Sequence, residues 1–200
     1  MVKSEDRKNS EKYKRILAAA KAVFAQNGFY HSRISDVAKR AGVADGTIYL
    51  YFENKDDILI SLFEDEIDAF IVRLRGELAT RSTVEDKLYC LIHFQLSLLE
   101  TDRDLAEVLL VELRQSNKFL KSSAIEHVNE YLKLFAAVLV EGKKAGVLRE
   151  ETDAALLPQA VFGAVEMISL SRLLGYRRHE VGDAARMLTD TLLRGIWVGA

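Results

Sequence analysis

Three hydroxyl side chains lie within five residues of one short segment, at Thr47, Tyr49 and Tyr51. A hydroxyl donates and accepts hydrogen bonds, but it becomes a nucleophile only beside an activating base. The surrounding residues supply no histidine or cysteine that could activate one. The chemistry open to this segment is therefore recognition of another molecule by hydrogen bonding.

The sequence as a whole also lacks the patterns of catalysis and metal binding. His31, His93, His127 and His179 lie in separate segments without the spacing of metal ligands. The single cysteine, Cys90, excludes an internal disulfide and a cysteine-based zinc site. No glycine-rich phosphate loop and no G-x-S-x-G elbow occurs. These absences favour a binding protein over an enzyme, and we expect no cofactor and no metal.

Two short helices must position the three hydroxyls. The apolar pattern predicts one helix over Ile34–Ala41 and a second over Asp45–Phe52. Ser32 is expected to cap the first helix, and the first residue of the second helix is expected to cap that one. Gly42 supplies the positive φ that the turn between them needs. This spacing is typical of a helix-turn-helix over about residues 33–52.

Helical periodicity continues through the rest of the chain. One proline and eleven glycines in 200 residues argue against a β-sandwich or a glycine-rich doubly wound sheet. The sequence predicts an all-α fold of about nine helices. Besides the pair above, it predicts one helix carrying an apolar stripe from Ile16 to Phe24, a long helix beginning at Lys55, and five more at Val84–Glu100, Arg103–Gln115, Lys118–Ala145, Ala154–Leu174 and Glu180–Gly199.

Charge is distributed unevenly along the chain. Residues 1–60 carry 11 basic against 8 acidic side chains, whereas residues 61–200 carry 17 against 22. A mildly basic head on an acidic body favours an anionic partner at one end, although ordinary surface scatter gives the same pattern. The start of the chain is charged, and the longest uncharged stretches are too short to span a bilayer. We therefore expect a cytoplasmic protein that makes no membrane contact.

A family resemblance becomes apparent in the segments around the predicted helix-turn-helix. The chain resembles the DNA-binding domain of TetR-type transcriptional regulators at Val23–Phe29, Ile34–Ala38, Ala41–Val43 and Gly46–Lys55. It departs from the family at Ala44, where a serine or threonine usually caps the recognition helix. The resemblance implies a DNA-binding domain over residues 1–60 and an effector-binding and dimerisation domain over residues 61–200.

The resemblance also implies a homodimer on a pseudo-palindromic double-stranded operator, with the recognition helices in successive major grooves. A threonine suits base edges, since its hydroxyl donates and accepts while its methyl contacts thymine. Phenols and a lysine in the first turn of a helix suit phosphates. The last two predicted helices are the expected dimer elements. The expected DNA-binding residues are Arg33, Ser35, Gly46, Thr47, Tyr49, Tyr51 and Lys55.

Within that family, Ala44–Gly46, Asp57–Phe63 and Leu110–Asn117 are similar to the fatty-acid-degradation repressors. Those proteins leave their operators on binding long-chain acyl-coenzyme A, which is therefore the expected effector. Another hydrophobic effector, such as a drug or an aromatic acyl thioester, is the first alternative. A helical thioester-binding enzyme and a helical interaction module without DNA function are remote alternatives. The expected effector residues are Phe94, Leu98, Leu109, Arg114, Gln115, Asn117, Phe135 and Phe162.

Overall fold

The computed structural model describes residues 10–112, 124–176 and 179–198. These residues form ten α-helices, one π-helical turn and no strand, apart from a single bridge between Leu148 and Trp197. The predicted all-α class is confirmed. No helix in these described ranges has both the length and the apolar character needed to cross a bilayer.

The helices follow the predicted order, with shifted ends. In chain order they are α1 (Glu11–Asn27), α2 (Ile34–Ala41), α3 (Asp45–Ile48), α4 (Lys55–Ala79), α5 (Val84–Leu96), α6 (Leu98–Thr101), α7 (Arg103–Glu107), the π-helical turn (Val108–Glu112), α8 (Ala124–Lys144), α9 (Leu156–Leu173) and α10 (Val181–Ile196).

The chain forms two compact units, which we describe separately. The first unit takes its described residues from Met1–Ile67 and Asp102–Ile125, and the second from Asp68–Thr101 and Glu126–Ala200. The first unit therefore contains a second stretch of chain that the expected division at residue 60 does not include. The reason is that α7 and the π-helical turn pack on α1.

The core of the first unit lies between α1, α2, α3 and the start of α4. Ile16 and Phe24 from α1, together with Val37 and Ile48, are completely buried. Gly42 has a φ of 65°, which gives the predicted left-handed turn between α2 and α3. Burial of these apolar side chains fixes the helix-turn-helix against α1.

Two predicted caps are wrong. Ser32 is buried, and its hydroxyl donates to the carbonyl oxygens of Gly28 and Val23 at 2.7 and 3.2 Å instead of capping α2. The Asp36 carboxylate accepts from the Arg33 backbone N–H at 3.1 Å instead. Asp45 is the first residue of α3 but does not cap it, so only its charge favours that helix end.

Other helix ends differ for local reasons. α3 ends at Ile48 rather than Phe52, and residues 49–51 form a turn. The predicted helix Val84–Glu100 divides into α5 and α6 around Ser97, whose hydroxyl donates to the His93 carbonyl oxygen at 2.8 Å. A serine bonded in this way bends a helix. The predicted helices Arg103–Gln115 and Lys118–Ala145 run partly outside the described residues.

The core of the second unit centres on α5, which packs against α9 and α10. Leu88, Leu91, Ile92 and Leu96 occupy successive turns of α5 and are completely buried. Pro158 lies in the first turn of α9, where a proline costs no helical hydrogen bond. The second unit is thus a helical bundle with an apolar interior.

Candidate functional site

The surface of the helix-turn-helix carries most of the predicted DNA-binding residues. Arg33, Ser35 and Gly46 are exposed, and Tyr49 is 57% exposed. A Cβ atom built on Gly46 would meet no atom within 4 Å, so the backbone there is open to a large neighbour. Thr47 is half-buried at the edge of this face.

Aromatic packing holds α3 beneath this surface. Ile48 and Phe52 are buried, and the Phe52 ring stacks on Tyr13 of α1 with 5.2 Å between ring centroids. Tyr51 is half-buried, and its ring lies 6.3 Å from that of Tyr13. The Tyr51 ring is therefore braced by a specific partner on α1. Burial also raises the pKa of Tyr13, which keeps that phenol neutral.

Lys55 is placed differently from the expected phosphate contact. Its Nζ donates to the carbonyl oxygens of Phe29, Tyr30 and Ser32 at 2.6, 3.0 and 3.0 Å. It also lies 4.6 Å from the centroid of the Phe29 ring. An ammonium has three donors, and these three carbonyls occupy them all. In this arrangement Lys55 fixes the connection between α1 and α2, and partial burial lowers its pKa.

Glu112, at the end of the π-helical turn, contacts the same connection. Its carboxylate is buried and accepts from the Phe29 backbone N–H at 2.5 Å. The stretch from Asp102 to Glu112 is anchored at its start as well, because Asp102 accepts from Lys21 of α1 at 2.6 Å. Lys21 also donates to Glu66 at 2.9 Å. Sequence reasoning missed these residues, since no local pattern distinguishes them from surface charges.

The predicted effector residues fall in different parts of the chain. Phe94, Leu98, Phe135 and Phe162 belong to the second unit, whereas Leu109 lies in the π-helical turn of the first. Phe135 is completely buried, and Leu98, Phe94 and Phe162 are half-buried. The remaining predicted effector residues, Arg114, Gln115 and Asn117, lie outside the described residues.

An aromatic cluster in the second unit connects two of the predicted effector residues. Phe94 packs edge-on against Phe70 at 4.8 Å between centroids. The Tyr131 ring lies 6.1 Å from Phe70 and 5.6 Å from Phe162. The Tyr131 hydroxyl donates to Gln95 Oε1 at 2.7 Å, and complete burial raises the pKa of Tyr131. The cluster therefore combines a large apolar area with one neutral polar pair, which the sequence pattern did not predict.

An open groove of about 670 Å³ also lies in the second unit, between Asp68 of α4, the first half of α8 and the start of α9. His127 Nδ1 lies 2.8 Å from Asp68 Oδ1 at its wall. Glu126 and Glu130 add carboxylates, while Lys133 is its basic side chain. This lining suits an anionic head group poorly, because acidic groups outnumber basic ones.

The helices predicted to pair the subunits carry exposed apolar side chains. Leu156 and Met167 on α9 and Met187 on α10 are each more than half exposed. α9 and α10 also pack on α5 through their other residues, including Val161, Val165 and Ala185. Each helix therefore has a buried apolar side and an exposed one, whereas a monomer needs only the first.

The position of Lys55 predicts a loss of stability on substitution. Lys55→Met keeps the unbranched side chain up to Cε but leaves three backbone carbonyls without their donor. We expect the free energy of unfolding to fall by roughly 1–2 kcal/mol, the lower part of the range for lost hydrogen bonds because the site is partly hydrated. Urea unfolding followed by circular dichroism measures the change.

The matched control is Lys12→Met at an exposed position of α1. It should change the unfolding free energy by less than about 0.5 kcal/mol. Equal unfolding midpoints for the two variants would show that the three contacts of Lys55 contribute nothing to stability.

Two family models together match most of the chain. Residues 16–62 match the model of bacterial regulatory proteins of the tetR family, and residues 63–195 match the model of the C-terminal region of YsiA-like protein. The fatty acid metabolism regulator protein of Bacillus subtilis is 38% identical over 185 residues, which cover 92% of this chain and 95% of that protein.

Solved structures agree. FadR from Bacillus subtilis in complex with stearoyl-CoA superposes with a TM-score of 0.85 at 38% identity, covering 92% of this chain and 99% of that one. The fatty acid degradation regulator FadR from Bacillus halodurans gives 0.87 at 36% identity, covering 94% and 97%. With both family models matched in sequence order and the helix-turn-helix exposed, the chain belongs to the tetR family of bacterial regulatory proteins and is a DNA-binding transcriptional regulator.

Proposed function

We propose that this regulator represses fatty acid degradation genes and leaves its operator when a long-chain acyl-CoA binds. The observation that carries the proposal is the match of nearly the whole chain to a fatty acid metabolism regulator, together with the stearoyl-CoA bound to a structure of the same fold. Residues 1–60 act as the DNA-binding domain, and residues 61–200 bind the effector and pair the subunits. Its place of action is the cytoplasm, where the operator lies.

The operator contacts come from the exposed face of the helix-turn-helix. Thr47 reads a base edge, because its hydroxyl and methyl match the groups that a major groove offers. Arg33, Ser35 and the phenol of Tyr49 contact phosphates, and Tyr51 supports them with its braced ring. Lys55 contributes by holding the connection that starts α2, in keeping with its three carbonyl contacts.

The role of Thr47 is tested with an operator duplex selected by the wild-type protein from a randomised pool. Thr47→Val removes the hydroxyl and preserves the shape. We expect affinity for this duplex to fall at least about tenfold, because a base-edge hydrogen bond is lost in each half-site. Thr80→Val, at an exposed position directly after α4, is the control. Fluorescence anisotropy that finds the same affinity for both variants would exclude a base contact by Thr47.

The effector is bound by residues 61–200, in which the aromatic cluster of the second unit supplies apolar area. Phe94 and Phe162 lie at the cluster, and Leu98 and Phe135 are further candidates. Burial contributes about 0.8 kcal/mol per methylene, so twelve methylenes give up to about 10 kcal/mol before the costs of binding. Reversing a 99:1 population needs about 5.5 kcal/mol of differential affinity. Chain burial is therefore large enough to drive release, and Leu109, Arg114, Gln115 and Asn117 remain candidate contacts.

Chain length is the variable that tests this effector. Acyl-CoAs of increasing length are titrated into the complex of wild-type protein with the selected duplex, with coenzyme A alone as the control. The concentration needed for release should fall steadily as the chain lengthens, by up to about fourfold for each buried methylene. Coenzyme A alone should leave the complex intact. Release that does not depend on chain length would instead favour another hydrophobic effector.

The protein acts as a homodimer paired through α9 and α10. Two helices from each chain form a four-helix interface, which buries the exposed sides of both helices. Two-fold symmetry then presents two recognition surfaces to a pseudo-palindromic operator. The exposed Leu156, Met167 and Met187 support this arrangement.

A charge introduced on this face should separate the subunits. Met187→Lys places an ammonium in the proposed interface, where its desolvation is costly. We expect light scattering after size exclusion to give the mass of two chains for the wild type and of one chain for the variant. Val72→Lys, at an exposed apolar position of α4, should stay dimeric. A dimeric Met187→Lys variant at micromolar concentration would place the interface elsewhere.

A further inference from the structure

Glu112 is a buried carboxylate that contacts the backbone of the helix-turn-helix region. Its side chain is 7% exposed, and its Oε2 accepts from the Phe29 N–H at 2.5 Å. A buried carboxylate persists only where hydrogen bonds replace its hydration. The Glu112–Phe29 bond therefore ties the end of the π-helical turn to the connection that leads into α2.

One partner of Glu112 is a backbone N–H that makes no hydrogen bond within α1. Gly28 ends α1 with a φ of 75°, and its own N–H completes the helix by donating to the Phe24 carbonyl at 2.9 Å. The next N–H along the chain, that of Phe29, donates to the Glu112 carboxylate. A Cβ atom on Gly28 would lie 3.7 Å from Glu112 Oε2, so the two segments meet at van der Waals distance.

Hydrogen bonds tie residues 28–32 to one another and to the first turn of α4. Lys55 holds three of their carbonyls, and the Ser32 hydroxyl donates to the Gly28 carbonyl at 2.7 Å. The next residue, Arg33, starts α2. A displacement of the Phe29 N–H would therefore reach the beginning of α2 through these hydrogen bonds, all of which join described residues.

The segment that carries Glu112 is anchored at its other end by Asp102. One carboxylate oxygen of Asp102 accepts from Lys21 at 2.6 Å, and the other caps α7 by accepting from the Leu105 N–H at 3.0 Å. Asp102 directly follows Thr101, the last residue of α6 in the second unit. The segment is thus covalently continuous with the unit proposed to bind the effector.

A change of helical register lies between the two anchors. Val108–Glu112 forms a π-helical turn, in which hydrogen bonds span five residues instead of the four of an α-helix and which is common at functional sites. Conversion of this turn to a regular α-helix would rotate Glu112 by about 100° around the axis. Such a rotation would withdraw the carboxylate from the Phe29 N–H.

We propose that the Glu112–Phe29 bond is a latch through which the effector controls the helix-turn-helix. When the latch is closed, residues 28–32 are ordered and the recognition surface is ready for the operator. An ordered surface binds more tightly because less conformational entropy is lost on binding. The effector opens the latch by changing the register of the π-helical turn. This proposal rests on the proposed function, from which it takes the identity of the effector.

The test compares Glu112→Ala with Glu107→Ala, which alters another glutamate of the same segment. Operator affinity is measured with the selected duplex, and stearoyl-CoA affinity is measured by calorimetry on the DNA-free protein. Without effector, Glu112→Ala should bind the duplex about tenfold more weakly than the wild type, the size expected for a lost charged hydrogen bond. Stearoyl-CoA should weaken duplex binding little further in this variant.

The affinity for stearoyl-CoA distinguishes a latch from a merely structural role of Glu112, because effector binding and operator binding are thermodynamically linked. Because the variant no longer has to break the latch, stearoyl-CoA should bind it more tightly than it binds the wild type, by a similar factor. Glu112→Gln, which keeps an oxygen acceptor, should lie between the wild type and Glu112→Ala in both measurements. It also provides the comparison if Glu112→Ala does not fold.

Hydrogen exchange supplies a readout in the wild type. Stearoyl-CoA should speed exchange of the Phe29 amide while leaving amides in the middle of α1 unchanged. The latch is overturned if Glu112→Ala and Glu107→Ala share wild-type affinities for the duplex and for stearoyl-CoA. If the wild type itself ignores stearoyl-CoA, the effector proposal fails, and the duplex affinities of the two variants still decide whether Glu112 orders the recognition surface.

Discussion

The burial of two side chains behind α3 is the constraint on which the recognition surface depends. A helix of four residues has no stability of its own, because nucleation costs more than a single turn returns. α3 forms because Ile48 and Phe52 are buried against the rest of the first unit, where the Phe52 ring stacks on Tyr13 of α1. Exposed residues such as Gly46 and Tyr49 are therefore only as well ordered as the apolar contact beneath them.

The connection between α1 and α2 shows a second constraint, the need to satisfy backbone groups outside helices. Three carbonyls of this connection accept from Lys55, and the Phe29 N–H donates to Glu112. Charged side chains make stronger hydrogen bonds than neutral ones, so a few of them can fix a short connection. The positions of these backbone groups also determine where the Lys55 ammonium and the Glu112 carboxylate lie.

The division of the chain bears on how a regulator of this family works. The chain passes between its two units at Ile67–Asp68, Thr101–Asp102 and Ile125–Glu126. The stretch that packs on α1 is thus preceded and followed in sequence by helices of the other unit. Operator recognition belongs to the first unit, and the aromatic cluster around Tyr131 belongs to the second. An effector alters DNA affinity only if it binds two states of the whole chain with different affinity. A regulator therefore needs its two units to be connected, as they are here by these three crossings.

The sequence by itself determined the helical class, the order of the helices and the helix-turn-helix. These features follow from local signals, namely apolar residues repeating every three or four positions and Gly42 at a left-handed turn. The spacing placed Thr47, Tyr49 and Tyr51 on the outer face, of which Tyr49 is exposed while Thr47 and Tyr51 are half-buried. Tyr49 and Tyr51 lie in the turn after α3, so helical periodicity does not set their exposure.

Only the tertiary structure decided what Ser32, Lys55 and Glu112 contact. Lys55 meets carbonyls 23 to 26 residues away, and Glu112 meets an N–H 83 residues away. No periodic pattern encodes such pairs, since they depend on how helices pack after they form. The same holds for the end of α3, where the Leu50 and Tyr51 N–H groups donate to the Thr47 and Ile48 carbonyls three residues back and the α-helix stops. Periodicity is a property of neighbours along the chain, whereas a buried charge is positioned by neighbours in space.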